Sequence, residues 1–162
     1  MWRGCWSAAW PERGAGRCMY KELILDRDRN RRMSYEVLWE SRGAIKRFWG
    51  VVSSQDMLRS VVETEADVRF DRLRYVINDF LAATQIGFSA KDVSDIAAMD
   101  LGASRTNAAI KIAVVATMPE LLEFARQYAS SPLNAYPTRV FSTMEEARAW
   151  VEEPSGFKAT RW

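Results

Sequence analysis

Residues 110–117 read Ile110-Lys111-Ile112-Ala113-Val114-Val115-Ala116-Thr117. This stretch is short, rich in β-branched residues and almost free of alternation between polar and apolar positions. A strand that is covered on one face alternates, so a continuous apolar run predicts a strand buried on both faces, as in the middle of a parallel sheet. Val114 and Val115 are therefore expected to point to opposite faces of the sheet, and both are expected to be buried.

A helix is predicted directly after this strand. Thr117 and Glu120 have the spacing of a capping box, and Pro119 falls in the first turn, where its missing N–H costs nothing. A buried strand that leads into a capped helix is half of a β-α-β unit. Boxes of the same spacing predict three more helices: Ser53 with Asp56, Ser89 with Asp92, and Ser142 with Glu145 or Thr143 with Glu146.

The other strands follow from shorter patterns, at residues 34–39, 44–52, 73–77 and 138–141. The first two are separated by a short turn, which predicts a hairpin, and Tyr35, Val37 and Trp39 alternate as in a half-buried edge strand. The stretch between Phe80 and Phe88 shows no clear period and is interpreted as a loop or irregular segment. The order β-β-α-β-α-β-α-β-α predicts an α/β fold, with a mixed, mostly parallel sheet of about five strands and about four helices.

Length and charge divide the chain into three parts. At 162 residues it suits one domain, which we place at residues 33–153. Residues 1–32 hold eight basic and four acidic residues and read as a disordered extension, with a tryptophan-bearing anchor as the alternative. Residues 154–162 read as a flexible tail. The rest of the chain is slightly acidic, which argues against general nucleic-acid binding.

Missing residue types exclude several kinds of chemistry. The chain has no histidine, and Cys5 and Cys18 are its only cysteines, so no metal site and no cofactor are expected in the domain. No run of 18 apolar residues predicts a membrane span, and nothing points to secretion, so we expect a cytoplasmic protein.

Three stretches carry a resemblance to a known family: residues 75–80, residues 110–117 and residues 139–150. Over about residues 33–152 the order of elements resembles the STAS and SpoIIAA-like family of small α/β domains. The resemblance implies a regulatory role that is exercised through a protein partner. The family's antagonists carry a phosphorylatable serine in a turn after the third strand. No such turn occurs between Asp79 and Ser89, so a phosphorylation switch of that type is in doubt.

Candidate site residues come from the expected carboxyl ends of the strands, where open α/β sheets bind ligands. These are Asn78, Asp79, Thr84 and Thr117. Asp79 could accept a hydrogen bond from a ligand or act as a weak base, or it could satisfy a nearby backbone N–H or arginine.

Several other charged and hydroxyl side chains are predicted to be solvated or to cap helices. Lys46, Lys91 and Lys111 are predicted to face solvent. Asp92, Asp95 and Asp100 are predicted to lie on a solvated helix face. Ser89, Thr117 and Ser142 are interpreted as helix caps.

Three functions remain open at this stage. The first is a non-catalytic regulatory or protein-interaction domain, which the lack of catalytic residues favours. The second is a binding module for a small apolar or lipid-like ligand. An apolar pocket without neighbouring carboxylates would favour this function. The third is an enzyme that uses Asp79 with a threonine or serine. A homodimer is compatible with all three.

Overall fold

The computed structural model describes residues 33–153, so the predicted extension (1–32) and tail (154–162) lie outside the described residues. Within them, five strands and four helices follow the predicted order. The strands are β1 (Tyr35–Trp39), β2 (Gly43–Ser53), β3 (Tyr75–Gly87), β4 (Lys111–Val115) and β5 (Thr138–Phe141). The helices are α1 (Ser54–Ala66), α2 (Ala90–Ala103), α3 (Pro119–Ser130) and α4 (Met144–Glu152), and a 3₁₀ turn covers Phe70–Arg72.

The strands form one sheet in the order β1-β2-β3-β4-β5. β1 and β2 are the antiparallel hairpin that the sequence predicts, and every other neighbouring pair is parallel. β1 lies at one edge, and its residues Tyr35, Val37 and Trp39 pack on the core as their alternation predicts. The mixed, mostly parallel α/β sheet is therefore confirmed.

Helices cover both faces of the sheet. One face packs against α1, α2 and α3 through Val61, Ile96 and Leu121, and this is the larger core. The other face packs against α4, where Trp150 contacts the smaller core. Val114 belongs to the first core and Val115 to the second, and both are buried, so the two-sided burial of β4 is confirmed.

The predicted loop after Phe80 is wrong, because β3 continues through this stretch to Gly87. β3 pairs with β2 along its whole length, but the register shifts twice, between Arg47 and Trp49 and again between Gly50 and Val51. At each shift β3 has one more residue than β2, as in a β-bulge. The extra residues break the alternation by which a strand is recognised, so the sequence gives no strand signal here.

Two of the predicted helix caps form as complete capping boxes, at Ser53 with Asp56 and at Ser89 with Asp92. Thr143 caps α4 by accepting a hydrogen bond from the N–H of Glu146, so of the two predicted alternatives it is the cap.

The predicted box at Thr117 is wrong. Met118 occupies the N-cap position of α3, and no side chain caps this helix. Because the residue before a proline is held away from the helical region, Met118 is extended and α3 begins at Pro119. Thr117 lies one residue outside the helix.

Candidate ligand-binding cavity

A cavity of about 90 Å³ lies between the sheet and helices α1, α2 and α3. A single water needs roughly 10–15 Å³ of such space, so several waters or one small molecule fit. The walls are mostly aliphatic and aromatic side chains from β3, β4 and the three helices, among them Val76, Ile112, Val114, Ile96 and Ala125.

The two ends of the cavity differ in chemistry. Residues near the start of the helices, such as Met57, Val93 and Leu121, are apolar. Glu65, Asp100 and Tyr128 lie near the end of their helices and bring polar groups to the cavity. The site is therefore amphipathic along its length.

The apolar end is bounded by two aromatic rings. Phe88 and Phe124 lie with their ring centroids 5.2 Å apart. Both line the cavity and remain partly exposed to solvent, as does Met57.

Lys46 is the most unusual residue of the lining. It alternates with Ile45 and Arg47 on β2, so its side chain points to the same face as Ala44 and Phe48 and enters the core beneath the helices. Only 5% of its surface is exposed, so the prediction that Lys46 faces solvent is wrong. No hydrogen bond or ion pair joins its ammonium to another described residue. Burial lowers the pKa of Lys46, and the charges of Asp100, Glu65 and Glu63 act against that shift.

The other two lysines of the domain fit the prediction to different degrees. Lys91 is exposed and pairs with Asp95, as expected. Lys111 is half-buried, and its ammonium donates hydrogen bonds to the carbonyl oxygens of Trp150 and Glu153, at 3.0 and 2.7 Å. These carbonyls lie at the end of α4, where a cation is stabilising, so Lys111 fixes the helix to the sheet.

Asp100 and Glu65 form a buried carboxyl pair at the polar end. The Tyr128 hydroxyl donates a hydrogen bond to Asp100. Burial raises the pKa of both carboxyls, and burial together with the neighbouring Asp100 raises the pKa of Glu65 to about 8. Glu65 is therefore protonated at neutral pH. The prediction that Asp100 lies on a solvated helix face is wrong, because only 9% of it is exposed.

Two acceptor atoms at the cavity find no hydrogen-bond partner within the described protein. They are Oδ1 of Asn78 and Oε1 of Glu65, and both atoms are buried. Leaving such a group unpaired costs roughly 1–3 kcal/mol. The cavity therefore offers two acceptors and the amine of Lys46 to any molecule that enters it.

The predicted site residues do not all lie together. Asn78 lines the cavity, opposite Lys46 in the pairing of β2 with β3. Asp79 follows it in the strand and does not line the cavity. Its carboxylate accepts a hydrogen bond from the N–H of Leu81 at 3.0 Å and lies 3.7 Å from the guanidinium of Arg47. Thr84 and Thr117 are exposed and also lie outside the lining.

The cavity meets only part of the expectation of an apolar pocket without neighbouring carboxylates. The cavity has the expected apolar walls, but the carboxyls of Glu65 and Asp100 are part of its lining. Across residues 33–153, no group of three or more Asp, Glu, His or Cys side chains could hold a metal ion. None of the helices in that range has the length and apolarity needed to cross a membrane.

Comparisons with known proteins identify the fold of the domain. No family model and no curated protein matches the chain. A solved structure matches it: the anti-sigma factor antagonist SpoIIAA in its unphosphorylated form, with a TM-score of 0.53 and 10% sequence identity. The match covers 74% of this chain and 99% of the SpoIIAA chain. Likeness at this identity shows the fold alone, and the STAS-like fold implied by the sequence resemblance is confirmed.

Proposed function

We propose that this STAS-like domain is a non-catalytic binding module that takes a small amphipathic molecule into the cavity beneath α1, α2 and α3. The observation that carries the proposal is the polar end of the cavity. There Asn78 Oδ1 and Glu65 Oε1 have no hydrogen-bond partner within residues 33–153, and the amine of Lys46 lies beside them in an otherwise apolar enclosure. Apolar walls with a few convergent polar groups are typical of small-molecule sites.

The arrangement selects for a ligand with two different ends. A hydroxyl or amide can donate a hydrogen bond to Asn78 Oδ1, and its oxygen can accept one from Lys46. An apolar body then extends toward Phe88 and Phe124. A purely apolar ligand would leave the buried acceptors unpaired, which favours an amphipathic molecule over the purely apolar one.

The module is proposed as non-catalytic because hydrolysis or group transfer needs an activated nucleophile with a positioned base. The hydroxyls of Ser53, Ser89 and Thr143 are committed to helix caps. The carboxylate of Asp79 has partners within its own strand and at Arg47, so the alternative enzyme built on Asp79 has little geometric support.

A second candidate function is regulation through a protein partner, because the structurally similar SpoIIAA is an anti-sigma factor antagonist. One observation favours it. Trp49, Val51 and Leu81 are 40, 57 and 47% exposed on β2 and β3, beyond the last residue pair that joins β3 to β4. A homodimer and a cytoplasmic location are compatible with this candidate, and both stay predictions.

Butan-1-ol is a suitable probe for the cavity because it has one hydroxyl and a short apolar chain. Saturation-transfer NMR on the full chain is expected to show binding. An Ala125→Leu variant, which adds bulk to a cavity wall, is expected to lose that signal while its unfolding curve stays cooperative.

A Thr84→Val variant is the matched control, because Thr84 is exposed and outside the cavity, so it should bind as the parent does. The proposal fails if the parent and Ala125→Leu proteins give the same signal. It also fails if neither the parent nor Thr84→Val binds, which would mean that the cavity holds only water.

A further inference from the structure

The amine of Lys46 differs from those of the other lysines of the domain. Lys91 is exposed and bonds Asp95, while Lys111 donates to two carbonyl oxygens. Among residues 33–153 Lys46 has no such partner, and its side chain lines a cavity that can admit a small molecule. A desolvated lysine in an apolar pocket is the form in which an amine acts as a nucleophile.

We propose that Lys46 is a covalent docking point that captures a small aldehyde or ketone as a reversible imine. The inference rests on the proposed function, because the carbonyl compound must first enter the same cavity. It adds a ligand class: a carbonyl group at the polar end, attached to a short apolar chain.

Capture requires the neutral amine. Burial favours it by lowering the pKa of Lys46, whereas the hydrogen bond and charge of Asp95 raise the pKa of Lys91. Three carboxyls face Lys46 from two helices: Glu63 and Glu65 from α1 and Asp100 from α2. Tyr128, from α3, hydrogen-bonds Asp100 and keeps its proton, because burial and the Asp100 charge raise its pKa.

The step balances without an oxidant or reductant. The amine lone pair of Lys46 attacks the carbonyl carbon, and the electron pair of the C=O bond moves to oxygen, which takes up a proton. The nitrogen loses one proton, which completes the carbinolamine. The carbinolamine oxygen is then protonated and leaves as water while the nitrogen lone pair forms the C=N bond, and the nitrogen releases its second proton to leave a neutral imine.

Glu65 is the proton source that the geometry offers for this step. Its carboxyl lines the same cavity and is protonated at neutral pH, because its pKa is raised to about 8. Each of the two protons that pass from Glu65 to the oxygen is replaced by one that the nitrogen of Lys46 releases, so Glu65 ends unchanged. Reversal of the same steps by water releases the ligand.

The test uses butanal, the aldehyde that matches butan-1-ol. The full chain is incubated with butanal and cyanoborohydride at pH 7, which reduces an imine to a stable secondary amine, and peptide mass spectrometry locates the label. We expect Lys46 to be labelled at least tenfold faster than Lys91 or Lys111. In a Lys46→Met protein, only the slow labelling of the other lysines should remain.

Two controls separate the possible failures. Lys91→Met should leave the labelling of Lys46 unchanged, and butan-1-ol binding reports the cavity independently of imine chemistry. If butan-1-ol binds but butanal labels all lysines at similar rates, the imine is overturned and the proposed function stands. If Ala125→Leu labels Lys46 as fast as the parent does, the reaction does not pass through the cavity, and the imine proposal is equally overturned.

Discussion

Lys46 and Asn78 stand directly opposite each other on the neighbouring parallel strands β2 and β3, and both side chains line the same cavity. They are 5 and 7% exposed, in a position where the strands elsewhere place Ala44, Phe48, Val76 and Phe80. A polar pair at the centre of an apolar face lowers stability unless its groups find partners. The first predictions below follow from that cost and from the charged groups around the pair.

The first prediction concerns Glu65. Its pKa is raised from 4.5 to about 8 in the folded protein. Between these values the folded chain holds a proton that the unfolded chain has released, so the contribution of Glu65 to stability falls as pH rises. Glu65→Gln removes this loss. Its free energy of unfolding, relative to the parent, should therefore increase from pH 5 to pH 8, by at most about 1.4 kcal/mol per pH unit.

Lys46→Met should show the opposite pH dependence. Because burial lowers the pKa of Lys46, the folded protein binds fewer protons than the unfolded chain, and the contribution of Lys46 to stability rises toward pH 10.5. The advantage of methionine over lysine is therefore greatest at low pH and shrinks as pH rises. Urea unfolding checks Glu65→Gln at pH 5 and 8 and Lys46→Met at pH 5 and 10, and a difference from the parent that does not change with pH would contradict the assignment it tests.

Much of the fold is readable from local patterns, and the exceptions have local causes. The continuous apolar run of β4 and the boxes at Ser53 and Ser89 depend on neighbouring residues, so they are visible in the sequence. The second half of β3 is not, because its bulges shift the alternation and alanines and Gln85 carry little strand preference.

The cavity is harder to predict because its polar residues come from separate elements. Lys46 is on β2, Glu65 on α1 and Asp100 on α2, and no spacing in the sequence relates them. A lysine in a strand is ordinarily exposed. The alternation of Lys46 with Ile45 and Arg47 places it on the same face of β2 as Ala44. Because the strand is covered on both faces, this alternation does not show which side chains are exposed to solvent. Asn78 was identified because it follows the apolar start of β3.

A second prediction concerns the turn between β1 and β2. The ring of Tyr75 lies where a side chain at Gly43 would begin, so Gly43→Ala forces the ring to move. The Tyr75 hydroxyl donates to Glu40, which is also bound by Arg148 of α4 at 2.7 Å. We expect a loss of about 1–3 kcal/mol in urea unfolding.

Gly102→Ala is the matched control for this change. Gly102 lies in α2 with no atom near its would-be Cβ, so alanine should be neutral or stabilising by up to about 1 kcal/mol. Equal changes in the free energy of unfolding for the two variants would show that the Tyr75 ring can move without loss of stability.

A third prediction concerns Asn107, which joins separate segments from a buried position. Its side-chain amide donates to the carbonyl oxygens of Phe70 and Leu73, at 2.8 and 2.9 Å, and accepts from the N–H of Ala109 at 3.0 Å. Asn107→Ala removes all three hydrogen bonds. The carbonyl of Phe70 keeps the N–H of Leu73 and the carbonyl of Leu73 keeps the guanidinium of Arg74, so the N–H of Ala109 alone among the three loses its described partner, and we expect a loss of roughly 2 kcal/mol. Asn134 is the control: its amide donates over 3.3 and 3.4 Å and accepts from the N–H of Tyr136 at 3.0 Å, but in a partly exposed position where water can replace lost partners, so Asn134→Ala should cost about 1 kcal/mol or less. Similar losses for both would count against the role of Asn107.

A fourth prediction concerns the exposed apolar side chains of β2 and β3. If Trp49 and Leu81 contact a second copy of the chain, sedimentation should show self-association that Trp49→Ser weakens. The melting temperature should change little, because Trp49 is 40% exposed. Val68→Ser is the control, since Val68 is 90% exposed and lies outside these strands. A parent protein that sediments as a monomer at all concentrations would exclude the homodimer and leave a different protein as the partner.

The last prediction separates Asn78 from Asp79, two neighbours that the sequence places in one candidate site. Asp79 accepts from the N–H of Leu81, and it lies 3.7 Å from the guanidinium of Arg47, whose side chain is 47% exposed, so this long contact contributes little. Asp79→Ala should therefore lower stability by about 1 kcal/mol and leave butan-1-ol binding unchanged. Asn78→Leu should raise or preserve stability, because it removes a buried unpaired acceptor, and it should weaken butan-1-ol binding severalfold. Urea unfolding measures the stability of both variants, and NMR titration measures their binding of butan-1-ol. Weaker binding in Asp79→Ala with unchanged stability would instead place the ligand at the carboxyl end of β3 and move the site away from the cavity.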